Sequence, residues 1–217
     1  MNPILKNTIE SISTSKRELL VQIIIVFIVS ISFVASSLIP IGSHVLFLII
    51  VAILFIALLM KERWTLSMLG FHKSSVIRYL LPYIIFTVCG AILISQFGQG
   101  IGREEVVHWW QHKHFLYTFF VVSAFQEIAY RGYLIPALGK LTTSPTLILI
   151  CNTLLFTYLH IIFPDLYITI PMALIGGIGF ALMYMRYPNM QLIILSHAVL
   201  NFVAVLYGFF AIPGVTY

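Results

Sequence analysis

Long apolar runs separated by short polar segments dominate the hydrophobic pattern of this chain. Seven runs are each roughly 20 residues long, the length that an α-helix needs to cross a hydrocarbon core about 30 Å thick. Backbone amides find no hydrogen-bond partners in lipid, so these runs are predicted to be helices rather than open strands. The predicted spans are residues 19–39, 41–60, 79–97, 115–138, 146–163, 166–185 and 190–212.

The composition supports this interpretation of the pattern. Of the 217 residues, 60% are hydrophobic and 9% are charged, and the mean hydropathy is +1.03. These values lie far from those of a soluble domain, and the loops are too short to form a separate one. The sequence therefore predicts an all-α fold, a polytopic transmembrane helical bundle of about seven spans.

The basic residues are distributed unevenly between the two sets of helix ends. The net charge is +5, but only Arg103 and Lys113 fall in the loops of one side, and Arg131 lies within a span. Lys and Arg accumulate on the cytoplasmic side of membrane proteins, which predicts a multi-pass protein with its N-terminus inside. The charges are explained by topology, so no nucleic-acid partner is expected. The nine residues of the basic side are Lys6, Lys16, Arg17, Lys61, Arg63, Lys73, Arg78, Lys140 and Arg186.

Few ionisable or strongly polar side chains fall inside the predicted spans, and such residues are functional-site candidates because burying them in a membrane is costly. The fourth span holds a polar group within FQEIAYRGYL, the fifth ends in FTYLH, and the seventh contains SHAVLN. Glu127 and Arg131 are four residues apart and can pair on one helix face. His197 and Asn201 have the same spacing, so both can project toward one point. The candidates are Gln126, Glu127, Arg131, His160, His197 and Asn201.

These side chains are the parts of a peptidase that uses water as its nucleophile. A buried carboxylate and an imidazole can take a proton from water, and an amide can stabilise the oxyanion of a tetrahedral intermediate. No cofactor is expected. Glu127, His160 and His197 offer a zinc site as the alternative, although the HExxH pattern of helical zinc proteases is absent. In a third interpretation, the polar groups only hold the helices together.

The order QEIAYR, FTYLH and HAVLN on successive late helices resembles the CAAX protease and bacteriocin-processing family, also called the Abi family. Its motifs are Glu-Glu-x-x-x-Arg, Phe-x-x-x-His and His-x-x-x-Asn, and the likeness covers about residues 115–210. The resemblance implies a glutamate-dependent intramembrane endopeptidase, similar to CAAX prenyl protease 2, in a bacterial cytoplasmic membrane. It also suggests a division into an N-terminal cytoplasmic segment (1–18), membrane helices and loops (19–113), a CAAX protease-like core (114–212) and a tail (213–217).

Matched to these motifs, each candidate residue acquires an expected role. The resemblance implies that His160 activates water with a motif glutamate, while His197 and Asn201 form the oxyanion hole. Arg131 and Phe156 support the site. The first glutamate of the family motif is Gln126 here, and an amide cannot accept a proton from water near neutral pH. Either Glu127 has taken that role, or the chain is a non-cleaving relative, or the substitution was introduced to trap an inactive form.

The favoured function is hydrolysis of a peptide bond in a membrane-associated peptide or protein by a water that glutamate and histidine activate. The alternative is a catalytically silent relative that acts in bacteriocin immunity or as a membrane scaffold. A transporter is the third possibility, and the absence of an internal repeat counts against it. A glutamate restored at position 126 is expected to raise peptidase activity.

Overall fold

The computed structural model is helical and contains no strand in the residues that it describes, 2–36, 44–106, 109, 113–163 and 165–209. The helices are α1 (Pro3–Ser11), α2 (Lys16–Ile23), α3 (Ser30–Ala35), α4 (His44–Lys61), α5 (Val76–Gly100), α6 (Lys113–Glu127), α7 (Ile135–Leu141), α8 (Pro145–Leu159), α9 (Leu166–Arg186) and α10 (Met190–Leu206). Two π-helical segments, Ile24–Val29 and Ile128–Leu134, join α2 to α3 and α6 to α7 into continuous helical runs.

Within these described residues, four helical runs are long and apolar enough to cross a membrane. They are Lys16–Ala35, Lys73–Gly100, Pro145–Ile162 and Leu166–Arg186, and the shorter apolar helices are Ile49–Lys61 and Met190–Leu206. Only 11% of the most apolar window of the second run is buried. In water this would be a large exposed apolar surface, whereas hydrocarbon solvates it readily. The all-helical membrane fold is confirmed, and the count of about seven spans stays a prediction.

Side chains that cap the helices explain several of the observed helix starts. Ser15 and Glu18 form a reciprocal capping box at the start of α2. Ser144 accepts a hydrogen bond from the backbone N–H of Leu147, and Pro145 follows it at the first position of α8. These residues satisfy backbone donors that a helix start otherwise leaves unpaired. The polar breaks between the apolar runs therefore also specify where the helices begin.

The segment 1–18 was expected only to be cytoplasmic, and it contains α1, which the sequence pattern did not predict. Leu5 and Ile9 are buried, and α1 packs against α7. Gly139 makes this approach possible, because a Cβ there would overlap the side chain of Ile9. Asn2 donates a hydrogen bond to the backbone oxygen of Arg186, 3.0 Å away. The first helix is thus attached to the end of α9.

The helix that carries two candidate residues, α10, packs most extensively on α5 and α6. Its N-cap residue is Asn189, whose side-chain oxygen accepts from the backbone N–H of Leu192. The amide of Asn189 donates to the backbone oxygen of His72 at 2.9 Å and to the hydroxyl of Ser75 at 2.8 Å. The connector between α4 and α5 therefore fixes the position at which α10 starts. This position in turn determines how far along the bundle His197 lies.

Candidate active site

A buried ion pair lies where α6 passes into its π-helical extension. Nη1 of Arg131 donates to Oε1 of Glu127 at 3.0 Å, and neither side chain is exposed. The pairing predicted from the spacing of four residues is therefore present. The π-helical segment begins at Ile128, directly after Glu127, and such segments often occur at functional sites.

His197 of α10 meets the same carboxylate oxygen. Its Nδ1 lies 2.6 Å from Oε1 of Glu127, and the side chain is 3% exposed. An ionised carboxylate only accepts hydrogen bonds, so Nδ1 of His197 carries the hydrogen. In a neutral imidazole, Nε2 is then a proton acceptor. The contact thus restricts a neutral His197 to the tautomer that carries its hydrogen on Nδ1.

Aromatic rings enclose this group of charges. The guanidinium of Arg131 lies 4.3 Å from the ring centroid of Phe156 and 5.4 Å from that of Phe180. The imidazole of His197 lies 4.5 Å from the Phe180 ring and 5.9 Å from the Phe156 ring. Aromatic faces attract cations, and their apolar bodies exclude water. Phe156 was predicted to support the site, whereas Phe180 was missed because it lies in an apolar run without any motif.

Asn201 lies one turn beyond His197 on α10 and meets α6 one turn before Glu127. Its Nδ2 donates to Oγ of Ser123 at 3.1 Å, and Ser123 is fully buried. The two helices are therefore linked by two polar contacts in register, His197 with Glu127 and Asn201 with Ser123. Ser123 was not predicted from the sequence, although its position four residues before Glu127 places it on the same helix face.

His160 lies at the end of α8, where the helix tightens into the turn His160–Ile162. Its Nδ1 is 2.9 Å from the backbone oxygen of Phe156. Because a carbonyl only accepts, Nδ1 of His160 also carries the hydrogen. The ring of Phe156 lies 4.9 Å from that of His160, so this one aromatic side chain contacts both imidazoles.

Gln126 does not join the ion pair. Successive residues of a helix are about 100° apart, and Gln126 faces a groove between the α2–α3 run, α4 and α6. Its Oε1 is buried and has no hydrogen-bond partner among the described residues. Glu127 points in a different direction, into the interior of the bundle, and so does not take the place of residue 126.

The zinc alternative requires three ligands at one point. Among the described residues, no group of three His, Cys, Asp or Glu side chains is placed to hold a metal ion. Glu127, His160 and His197 are thus not arranged as a metal centre.

Comparisons with other proteins bear on the same part of the chain. Neither a search of curated proteins nor a search of solved structures found a match. Residues 108–203, which include all of the side chains of the candidate site, match the family model of the Rce1-like type II CAAX prenyl endopeptidases, and this confirms the resemblance indicated by the three ordered motifs.

Proposed function

We propose that this chain is an intramembrane endopeptidase that hydrolyses a peptide bond in a membrane-associated substrate. The matched family is a protease family, and the chain is a multi-pass membrane protein. The observation that carries the proposal is the buried contact of 2.6 Å between Nδ1 of His197 and Oε1 of Glu127. It leaves Nε2 of the neutral imidazole oriented as a proton acceptor.

The first step is attack of water on the scissile carbonyl carbon. Nε2 of His197 takes a proton from the water as the new carbon–oxygen bond forms, and the resulting imidazolium is stabilised by Glu127. Oε1 of Glu127 already accepts hydrogen bonds from Arg131 and His197, so in the proposed step the proton goes to His197 and not to that oxygen. Glu127 is therefore a positioning residue that acts through His197.

The second step is breakdown of the tetrahedral intermediate. The imidazolium of His197 now carries a hydrogen on Nε2 and gives it to the leaving amine nitrogen as the carbon–nitrogen bond breaks. Asn201 donates one amide hydrogen to the hydroxyl oxygen of Ser123. Its second amide hydrogen can donate to the oxyanion of the intermediate. His160, whose ring packs on that of Phe156, keeps the role that the family resemblance implies for it, which is to help orient the water.

A cleavage assay on the purified protein in detergent tests this function. His197→Gln should lower the rate of cleavage of a fluorogenic membrane peptide by about a hundredfold to ten-thousandfold, the usual range for loss of a general base. His72→Gln is the matched control, because His72 lies in the connector after α4. Activity should survive a chelator. Equal rates for the parent and His197→Gln would contradict the assignment.

Gln126 supports a second candidate, a silent relative that acts in bacteriocin immunity or as a scaffold. In that case the parent cleaves no peptide of a broad panel, whereas Gln126→Glu, which is nearly isosteric, regains an acid that can accept a proton. Cleavage by the parent itself would favour the endopeptidase. Cleavage by Gln126→Glu alone would favour the silent relative.

A further inference from the structure

The π-helical segment between α6 and α7 departs from regular α-helical hydrogen bonding beside the candidate site. Pro136 follows it in α7, and a proline lacks the backbone N–H and crowds the carbonyl four residues earlier, here that of Gly132. Membrane helices accommodate a proline through local π-helical turns, and neighbouring helices pair with the backbone groups that are freed. The segment Ile128–Leu134 is therefore expected to take hydrogen-bond partners from outside its own helix.

One such partner is Asn152 of α8. Its Nδ2 donates to the backbone oxygen of Tyr130 at 2.6 Å, and the side chain of Asn152 is fully buried. A carbonyl oxygen only accepts, so the amide nitrogen of Asn152 must face it. Breaking this bond would leave a buried donor and a buried acceptor without each other, which costs more than an exposed bond would. The contact thus ties α8 firmly to the π-helical segment.

The carbonyl that Asn152 holds belongs to the peptide group whose nitrogen is that of Arg131. A peptide group is planar, so fixing the Tyr130 oxygen also fixes the direction in which the chain enters Arg131. From this position the guanidinium reaches Oε1 of Glu127 at 3.0 Å. The orientation of this one peptide group therefore bears directly on the geometry of the buried ion pair.

Helix α8 contacts Arg131 at a second level. Phe156 lies one turn after Asn152, and its ring centroid is 4.3 Å from the guanidinium carbon of Arg131. Asn152 thus contacts the backbone before Arg131, and Phe156 contacts the end of its side chain. His160 follows one turn later on the same helix face. The bond from Asn152 therefore helps to set the register in which α8 presents Phe156 and His160 to the site.

We infer that Asn152 is a positioning residue of the proposed endopeptidase, on which this assignment rests. Its hydrogen bond to the Tyr130 carbonyl holds the peptide group before Arg131 and thereby keeps the guanidinium on Oε1 of Glu127. The same oxygen contacts Nδ1 of His197. Asn152 acts through Arg131 and Glu127 rather than on the substrate.

The first test needs no cleavage. Tyrosine is followed by arginine only at positions 130 and 131, so carbon-13 in tyrosine carbonyls and nitrogen-15 in arginine give one NMR signal for this peptide group in detergent micelles. Asn152→Leu, which is nearly isosteric, should move the Tyr130 carbonyl resonance to lower frequency, because the carbonyl loses a hydrogen bond. The guanidinium hydrogens of Arg131, assigned with Arg131→Met, should exchange with water faster than in the parent.

The matched control is Thr153→Val, at the next position of α8. Thr153 is buried, valine has nearly the same shape, and no atom in the part of the chain that the structure describes pairs with the Thr153 hydroxyl. This variant should leave the Tyr130 carbonyl signal and the Arg131 exchange rate as they are in the parent.

A second variant, Asn152→Asp, separates the hydrogen bond from packing. A neutral carboxyl of nearly the same shape donates one hydrogen, whereas an ionised one only accepts. Compared with the parent at the same pH, Asn152→Asp should therefore keep the carbonyl signal and the cleavage rate in acidic buffer, and should lose them only as the pH rises. This pH series also decides the matter if Asn152→Leu does not fold.

In the cleavage assay, Asn152→Leu should lower kcat by roughly tenfold to a hundredfold, the cost of a small displacement of catalytic groups, and should leave KM unchanged. Thr153→Val should cleave at the parent rate. A parent-like carbonyl signal and kcat in Asn152→Leu would overturn the inference. So would an Asn152→Asp variant that matches Asn152→Leu at every pH.

The two proposals can fail separately. Faster exchange of the Arg131 hydrogens in Asn152→Leu, in a protein that cleaves no peptide, sustains the positioning role and contradicts the endopeptidase. Cleavage by the parent with an unchanged kcat in Asn152→Leu sustains the endopeptidase and contradicts the positioning role.

Discussion

At the scale of single residues, the charge balance of the site depends on one oxygen atom. Oε1 of Glu127 accepts from both Arg131 and His197, and all three side chains are almost completely buried. Removing either partner of a buried ion pair leaves an uncompensated charge, whereas removing both partners can be nearly neutral. The contact of Glu127 with His197 therefore helps to specify how α6 and α10 face each other.

This predicts strong coupling between two substitutions. Glu127→Gln should destabilise the protein by about 3–5 kcal/mol, because Arg131 is left buried and unpaired. Glu127→Gln combined with Arg131→Met should be less destabilised than Glu127→Gln alone. Reversible unfolding in detergent micelles measures the free energies of the parent, Glu127→Gln, Arg131→Met and the double variant, with Lys6→Met as the control at an exposed ion pair on α1. Simple additivity of the two effects would contradict the coupling.

A second prediction concerns the tautomer of His197. Nitrogen-15 NMR of histidine-labelled protein should show a neutral ring protonated on Nδ1, because the carboxylate of Glu127 can only accept. The His197→Gln variant identifies the signal. In Glu127→Gln the partner is an amide that can also donate, so a second tautomer should appear. A His197 ring protonated on Nε2 alone in the parent would remove the basis of the proposed mechanism.

At the scale of elements, the position of α10 decides whether the site forms. Its start is fixed by Asn189, which is fully buried and caps the helix while donating to the connector. The connector also contributes the backbone oxygen of Gly70, which accepts from the N–H of Met190 at 2.8 Å. Gly70 has a φ of +90°, and a Cβ there would collide with the hydroxyl of Tyr184. Glycine is therefore required at this turn.

Two substitutions separate the roles of Asn189. Asn189→Ala should destabilise the protein by about 2 kcal/mol, since it removes an N-cap and leaves buried groups of the connector without a donor. Asn189→Asp keeps the acceptor of the cap but loses the amide donors to His72 and Ser75, so an intermediate effect is expected. Thermal unfolding and the cleavage assay together show whether displacement of α10 also impairs the site. Equal stability of the parent and Asn189→Ala would contradict this role.

At the scale of the whole molecule, charged groups gather at the two ends of the bundle. At one end Asn2 binds the end of α9, and Thr14 donates to Glu62 at 2.5 Å. At the other end Arg103 pairs with Asp165 at 2.9 Å. Apolar side chains cover the helices in between, as expected where hydrocarbon is the solvent.

The end with most of the basic residues is predicted to face the cytoplasm. A reporter fused after Arg186 should then read as cytoplasmic, and one fused after Tyr217 as extracytoplasmic. Variants that move Lys16 and Arg17 to the opposite loops test whether the charges direct insertion. Reversal of both reporters in the parent would overturn both the orientation and the seven-span topology.

The sequence by itself determined the properties that depend on local chemistry. Run lengths and the need to pair backbone amides in lipid specify helices, and the spacing of four residues predicts the Glu127–Arg131 pair without any knowledge of neighbouring helices. The three short motifs were enough to indicate the resemblance that the family match over residues 108–203 supports. The tail 213–217 and the ends of several predicted spans lie outside the described residues, so those boundaries stay predictions, as does the division into segments.

Only the tertiary structure decided which helix faces meet. Hydropathy is almost uniform around these helices, so it does not specify how each one is rotated in the bundle. The contacts of Glu127 with His197 and of Ser123 with Asn201 depend on packing between residues that are distant in sequence. The same rotation places Glu127 in the interior and Gln126 on the groove between the α2–α3 run, α4 and α6. The docking of α1 likewise depends on the space that Gly139 leaves on α7, which no local pattern in residues 1–18 reveals.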